Sequence, residues 1–308
     1  MAGDSVGKYV SSSPVDLMYT TADEMIRALH GRIDPPARFE GRVTDDTILT
    51  LATLDSIEAS GGFSRAQLGR ELRRINPRSG RQIYKLRGRP HPYFLSRDGD
   101  SNGAIPRVLA IASTSRPWDF GELAFNIQAS TTLTHAGPDT QAAALLFGLL
   151  VQQGIAGESK FDAMQLALSL SNDIRALTGS NFVERWWQLS QKMRRLPPSD
   201  AFRRLVANLG LDQRATSSAL VALVMSAITD SMVDGFEGML RTIPPGDVDS
   251  TLAIFGAAVG AYSEGSVASG IMNIIESALG QSSYQVANRS WKLLSTHQHL
   301  APPHVEWR

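Results

Sequence analysis

Thr44-Asp45-Asp46-Thr47 stands directly before Ile48-Leu49-Thr50-Leu51, and apolar residues then recur at intervals of three and four as far as Ile57. That spacing is the period of a helix with one face in a core. Two carboxylates just after a threonine are also the composition of a helix start: the threonine oxygen accepts from free N–H groups, and the acids meet the positive end of the helix dipole. A second acidic start, Gly246-Asp247-Val248-Asp249-Ser250-Thr251, opens the apolar run Leu252 to Tyr262, with Ser250 as its candidate cap.

Working outward, the same period recurs along the chain. Helices are expected at Pro14 to Leu29, Asp45 to Ala59, Ser64 to Ile75, Ile105 to Ala112, Gln141 to Gln153, Ser159 to Leu177 and Phe182 to Met193. They continue at Ser199 to Leu209, Thr216 to Leu240, Asp249 to Tyr262, Val267 to Leu279 and Tyr284 to Ser295, each bounded by Gly, Pro or Ser. Gly3-Asp4-Ser5-Val6-Gly7 reads as a small-residue turn, and Leu196-Pro197-Pro198 as an interhelical turn. No alternating strand pattern and no fixed repeat is present. The expectation is an all-α, compact orthogonal bundle of ten or more helices, forming one domain over residues 1–308.

Composition narrows the function classes. The 308 residues are 43% hydrophobic, enough for a sizeable core. Thirty basic and thirty acidic residues cancel, so no global field draws the chain to nucleic acid or to an anionic membrane. The absence of cysteine removes disulfides, zinc-thiolate sites and cysteine nucleophiles. The longest apolar runs, Ala142 to Val151 and Ala219 to Ile228, are too short to span a bilayer. The N-terminus has no export signal, so a cytoplasmic monomer is expected. No Ser-His-acid order, P-loop or dinucleotide fingerprint occurs.

Each acidic start can be read as a self-capping helix end. Brought together, however, Asp45, Asp46, Asp247 and Asp249 with the hydroxyls of Thr44 and Ser250 form a donor set suited to a hard cation such as Mg2+ or Mn2+. Four carboxylates without a cation would repel strongly at low dielectric. The loop Gly99-Asp100-Ser101-Asn102-Gly103 is dense in residues that tolerate positive φ and can offer backbone N–H groups to a ligand. From Arg65 to Arg89, nine basic residues face one acid, Glu71. This is either a solvated face or an anion site. Trp186-Trp187 places one ring in the core and one partly outside, and His297, His299 and His304 lie in a Pro-rich tail.

These motifs, in this order and approximate spacing, resemble the ADP-ribosylglycohydrolases. The resemblance runs from Gly3-Asp4-Ser5-Val6-Gly7 through Gly41 to Thr47, Ser101 to Ala104 with Arg107, and Thr134-His135. It ends with Gly246 to Asp249 before Gly256 to Tyr262, and so covers residues 3 to about 265, beyond which the chain diverges. It implies an all-α fold with two divalent cations, Mg2+ or Mn2+, held by Thr44, Asp45 and Asp46 from one side and by Asp247, Asp249 and Ser250 from the other. Gly99 to Gly103 would cradle the diphosphate and distal ribose. His135 would line the cleft or else be a buried, hydrogen-bonded histidine, and Arg107 would hold its own loop. The implied reaction is hydrolysis of the bond between a ribose anomeric carbon and its leaving group in an ADP-ribosylated protein or small molecule. The resemblance implies Asp45, Asp46 and Asp249 as the catalytic carboxylates, with Asp45 or Asp249 handling the proton of water.

The chain departs from the family pattern at several points. Ser11 stands where most members carry a glutamate, Ser250 where threonine is usual, and Val248 and Pro245 replace threonine and glycine. No apolar helix precedes Gly3, which suggests a truncated start, and the usual closing tryptophan pattern is not recognisable after Tyr262. A non-catalytic relative that keeps the metal shell, or one that acts on another ribosylated small molecule, is the alternative.

Overall fold

The computed structural model describes residues 1–13, 18–75, 99–242, 246–263 and 269–298. Every regular element among them is helical; the one sheet-like feature is an isolated bridge between Ser101 and Arg214. In chain order the α-helices are α1 (Ala2–Ser11), α2 (Met18–Leu29), α3 (Asp45–Ser60), α4 (Arg65–Arg74), α5 (Val108–Ala112), α6 (Phe120–Thr131), α7 (Pro138–Ile155) and α8 (Lys160–Ser169). They continue as α9 (Ser171–Thr178), α10 (Phe182–Met193), α11 (Pro198–Leu209), α12 (Leu220–Ile228), α13 (Met232–Leu240), α14 (Val248–Gly260), α15 (Ser269–Leu279) and α16 (Ser283–Gln298). A 3-10 turn covers Asn102–Ala104, and a π-helical turn, Ala215–Ala219, runs into α12. No helix among the described residues is long and apolar enough to cross a membrane.

Two helices organise the core. α7 starts with Pro138 in its first turn, where the missing N–H costs nothing, and its apolar run from Ala142 to Val151 is buried. Helices α5, α6, α8, α9 and α10 pack around it. α14 lies beside α7 and is covered by α1, α12 and α13, while its N-terminal end meets α3. Burial all round explains why neither helix is amphipathic.

The contact of α1 with α14 depends on glycine. Gly3 and Gly7 are four residues apart, so they share one face of α1. A Cβ on Gly3 would stand 1.9 Å from the Leu252 carbonyl oxygen, and one on Gly7 would stand 2.6 Å from the Asp249 Cα. The two backbones therefore lie in direct contact. This corrects the reading of Gly3 to Gly7 as a turn: the stretch is helical, and its small residues serve packing rather than chain reversal.

Other boundaries also moved. The helix expected over Ser159 to Leu177 is two, α8 and α9, divided at Leu170. The one expected over Thr216 to Leu240 breaks at Thr229-Asp230-Ser231, where Ser231 accepts from the Asp234 N–H at 3.2 Å and starts α13. α6 was not anticipated, although Phe120, Leu123, Ala124 and Ile127 stand at helical spacing and Asp119 caps its start. Pro197 and Pro198 do form the turn into α11. Trp186 is buried and donates from Nε1 to the Leu223 carbonyl at 3.0 Å, with Trp187 partly exposed. The expected first turn of α2 at Pro14, Arg78 to Arg89 of the basic run, Pro245, Val267, and the side chains of His297, His299 and His304 lie outside the described residues.

Gly3→Ala should lower unfolding stability by about 3 kcal/mol, the upper range of overpacking, because the clash is with backbone. Gly121→Ala, in α6, meets only an ordinary contact at 3.5 Å and should be neutral or stabilising. Denaturant melts of the two variants test this; equal losses would contradict the packing account.

Candidate functional site

The site begins at Asp4, which is 0% exposed on α1. Its Oδ2 accepts from the Thr44 N–H at 2.9 Å, the Thr47 N–H at 3.2 Å and the Thr47 hydroxyl at 2.6 Å. Its Oδ1 accepts from the Thr44 hydroxyl at 2.6 Å. The N-terminus of α3 is thus capped in trans by another helix's carboxylate, besides the local cap in which Thr44 Oγ1 accepts from the Asp46 N–H at 3.4 Å. The side-chain caps of this helix start come from Asp4 and Thr44, while the Asp45 carboxyl also accepts from its own backbone N–H. Sequence reading missed this role of Asp4; the signal was the four-residue glycine spacing around it.

The start of α14 comes up against the start of α3. The Ser250 hydroxyl is near enough to the carboxyls of both Asp46 and Asp247 to favour their charged forms, which brings the two acidic stretches together. Asp46 is buried, and burial first, then the charges of Asp4, Asp45 and Asp247, push its carboxyl well above the usual carboxylate range. Burial also raises Asp45, with Asp4 and Asp249 adding to the effect and Lys8 opposing it. Burial drives Asp247 up to about 7, with the Asp249 charge adding and hydrogen bonds from Asn102 and Ser250 opposing. Asp46 Oδ2 is buried with no hydrogen-bond partner.

An open cleft of about 570 Å³ reaches this centre, lined by Leu211, Asp212, Gln213, Gly246, Asp247 and Asp249. Gly246 is required there: its φ is +149°, and a Cβ would stand 2.0 Å from the Leu211 carbonyl oxygen. The Asp247 N–H donates to that same carbonyl at 2.8 Å, which sets the angle at which α14 begins. Arg214 hydrogen-bonds Asp212 and holds its carboxyl down to about 2. Leu211, Asp212 and Gln213 carry no motif that sequence reading could have singled out.

The loop Gly99 to Gly103 reaches the centre through one side chain. Asn102 is buried and donates from Nδ2 to Asp247 Oδ2 at 2.5 Å and to Ser218 Oγ at 2.6 Å. Its N–H donates to the Gln213 carbonyl and the Asp100 carbonyl accepts from Ala215, both at 2.8 Å. Thr140 Oγ1 donates to the Ser101 carbonyl at 3.1 Å and ties the loop to α7. His135 lies buried behind Gly99 and Gly103, its Nδ1 2.7 Å from Thr134 Oγ1. Arg107 is buried and donates to the Ser130 carbonyl at 2.8 Å and to Thr134 Oγ1 at 2.6 Å; burial lowers its pKa to about 10. In the basic run, Arg70 is held by Gln67 and Arg74 by Glu71.

Hard cations fit this centre. The donors are carboxylates and hydroxyls, their charges oppose one another in a buried place, and one buried carboxylate oxygen has no partner. The centre is spread out rather than tight. Among the described residues the only His/Asp/Glu group with three ligand atoms within 4.8 Å of one another is a separate one, His30, Asp234 and Glu237. There His30 Nε2 lies 2.7 Å from Glu237 Oε2, and Glu237 Oε1 is held by Arg241.

Comparison with known proteins adds a family. Residues 1–290 match the profile of the ADP-ribosylglycohydrolase family. Among 46 matching solved chains is one described as "ADP-ribosylglycohydrolase-related protein complex". It is 16% identical with a TM-score of 0.59, and the match covers 96% of this chain and 98% of the other. At that identity the likeness is one of fold. No curated protein sequence matches.

Asp4→Asn puts an amide NH2 against hydroxyl and N–H donors, and should cost about 2–3 kcal/mol in a denaturant melt, whereas Thr50→Ala on the same helix should cost much less. A pH titration tests the electrostatics. Asp247 has a folded pKa near 7 against 3.8 when exposed, so the native state holds a proton that the unfolded chain has lost. In chelator, stability should therefore fall as pH rises from about 4 to 7, and Asp247→Asn should remove that part of the slope. An unchanged slope in the variant would contradict the assignment.

Proposed function

Because the chain belongs to the ADP-ribosylglycohydrolase family, we propose that it is a metal-dependent hydrolase of the ribosyl bond in an ADP-ribosylated protein or a related ADP-ribose conjugate. The observation that carries the reading is the meeting of two acidic helix starts around the Ser250 hydroxyl at the base of an open cleft.

In this reading Thr44, Asp45 and Asp46 hold one side of a centre for two divalent cations, Mg2+ or Mn2+, and Asp247, Asp249 and Ser250 hold the other. Cations bound there would supply Lewis acidity for the substrate hydroxyls and for water. The other steps belong to the chain's own groups. Asp4 locks the start of α3, so that Asp45 and Asp46 keep a fixed aim. Asn102 orients Asp247 by its short hydrogen bond. Asp249, which lines the cleft, or Asp45 would take the proton of the attacking water. The water oxygen joins the anomeric carbon, the bond to the leaving nitrogen or oxygen breaks, and the leaving atom receives the proton. Gly99, Asp100, Ser101 and Gly103 would contribute loop backbone to the diphosphate, with His135 supporting that loop from behind.

Ser11 favours a second reading, a binding protein without turnover, because the carboxylate most relatives carry at that place is missing. A panel of ADP-ribosyl-arginine, ADP-ribosyl-serine, O-acetyl-ADP-ribose and free ADP-ribose, with Mg2+ or Mn2+, distinguishes the two. The hydrolase reading expects turnover of at least one conjugate, reduced at least 100-fold in Asp249→Ala. Binding of metal and ADP-ribose with no turnover would favour the second reading, and no divalent-metal binding would sink both.

A further inference from the structure

A second cavity lies on the other side of α1 from the α14 contact. It has a volume of about 380 Å³, and its lining includes Ser5, Lys8 and Tyr9 of α1 together with Arg38, Phe39 and Arg42 from the segment before α3. Three features mark it as a built site. Ser5 is 1% exposed, and its hydroxyl has no hydrogen-bond partner although it is buried in the wall. Cations predominate: Lys8, Arg38 and Arg42 face one acid, Glu40, which is paired with Arg42 at 2.5 Å. The back wall is rigid, with Tyr9 and the buried Phe39 in an edge-to-face pair whose centroids are 5.4 Å apart.

The cavity adjoins the acidic centre. Lys8 lines it, and the cavity's lining residues Ser5 and Arg42 are one and two positions from Asp4 and Thr44, whose side chains meet at 2.6 Å. Ser5 follows Asp4 directly, so the residue that clamps α3 and the residue with the spare hydroxyl are neighbours on one helix turn. A ligand spanning both places would have its ribose at the carboxylates and its remaining part among Lys8, Arg38 and Ser5.

We propose that this cavity binds an oxyanion, a phosphate ester or a carboxylate, carried by the leaving group of the substrate. The proposal rests on the hydrolase reading for its link to turnover, but not for the binding itself. A guanidinium leaving group would meet Lys8, Arg38 and Arg42 with like charge, while a phosphate or carboxylate would pair with them and accept from the Ser5 hydroxyl. The conjugate is therefore one whose non-ribose half is acidic close to the scissile bond.

The test uses the full chain without added divalent cation, titrated by calorimetry or 31P NMR with inorganic phosphate, acetate and guanidinium as separate probes. Phosphate should bind and guanidinium should not; acetate binding would identify a carboxylate as an alternative source of the oxyanion. Ser5→Ala and Arg38→Gln should each weaken phosphate binding about tenfold. Arg38 is exposed, so its variant should fold normally even if Ser5→Ala perturbs packing. Asp249→Ala should leave phosphate affinity unchanged while abolishing turnover, which separates failure of this proposal from failure of the hydrolase reading. No phosphate binding, affinity unchanged in Arg38→Gln, or tighter binding of guanidinium than of phosphate would overturn it.

Discussion

One buried carboxylate holds the molecule's functional half together. Asp4 is fully enclosed, and four donors from Thr44 and Thr47 satisfy it. A charge in such a place costs several kcal/mol unless hydrogen bonds replace its water, and four short bonds, two of them from free N–H groups at a helix start, supply that replacement. The arrangement is selective. A hydroxyl at both positions, three residues apart on one helix turn, lets one carboxylate reach both residues. The clamp therefore sets the register of α1 against α3 and satisfies the Thr44 and Thr47 N–H groups without drawing on Asp45 or Asp46.

The consequence is electrostatic. With α1 clamped to α3 and its glycine face set on α14, the N-terminal ends of α3 and α14 converge. Two positive helix ends stabilise nearby anions, each by roughly 0.3–1 kcal/mol. Two unit charges roughly 5 Å apart repel by about 3 kcal/mol at an effective dielectric of 20. The dipoles are thus too weak to offset several such pairs, and the raised carboxyls of Asp45, Asp46 and Asp247 express the remaining conflict. Two agents relieve it: protons, which make the group neutral, or cations, which make use of it.

How much of this was legible in sequence depended on whether the signal was local. The all-α class was readable, because helical period and Gly, Pro or Ser punctuation are local features, and the family pattern agreed. Breaks inside long apolar runs were missed. At Leu170 the next helix follows with no side-chain cap, so no local residue type marks the break, whereas the break at Thr229 to Ser231 carries a local cap, Ser231, that was passed over within a long helical run. Asp45, Asp46, Asp247 and Asp249 stood out as chemistry, since adjacent carboxylates are conspicuous in any order. Asp4 did not, because it makes its bonds over 40 and 43 positions, and neither did Leu211, whose carbonyl aims α14. Residues that position others leave the weakest trace in sequence, because their work is done by distance and burial rather than by residue type.

The serine at position 11 lies on the same helix as Lys8. Its hydroxyl donates to the Lys8 carbonyl at 3.3 Å, within its own helix, so it replaces an acid with a group turned back onto the backbone. A carboxylate there would stand one helical turn from Lys8 and partly neutralise it. Without that acid, the Lys8 charge acts on Asp45 and on the cavity lined by Arg38 and Arg42. The cations on this side of α1 are therefore opposed, among the residues lining the cavity, by Glu40 alone, and Arg42 is already paired with it.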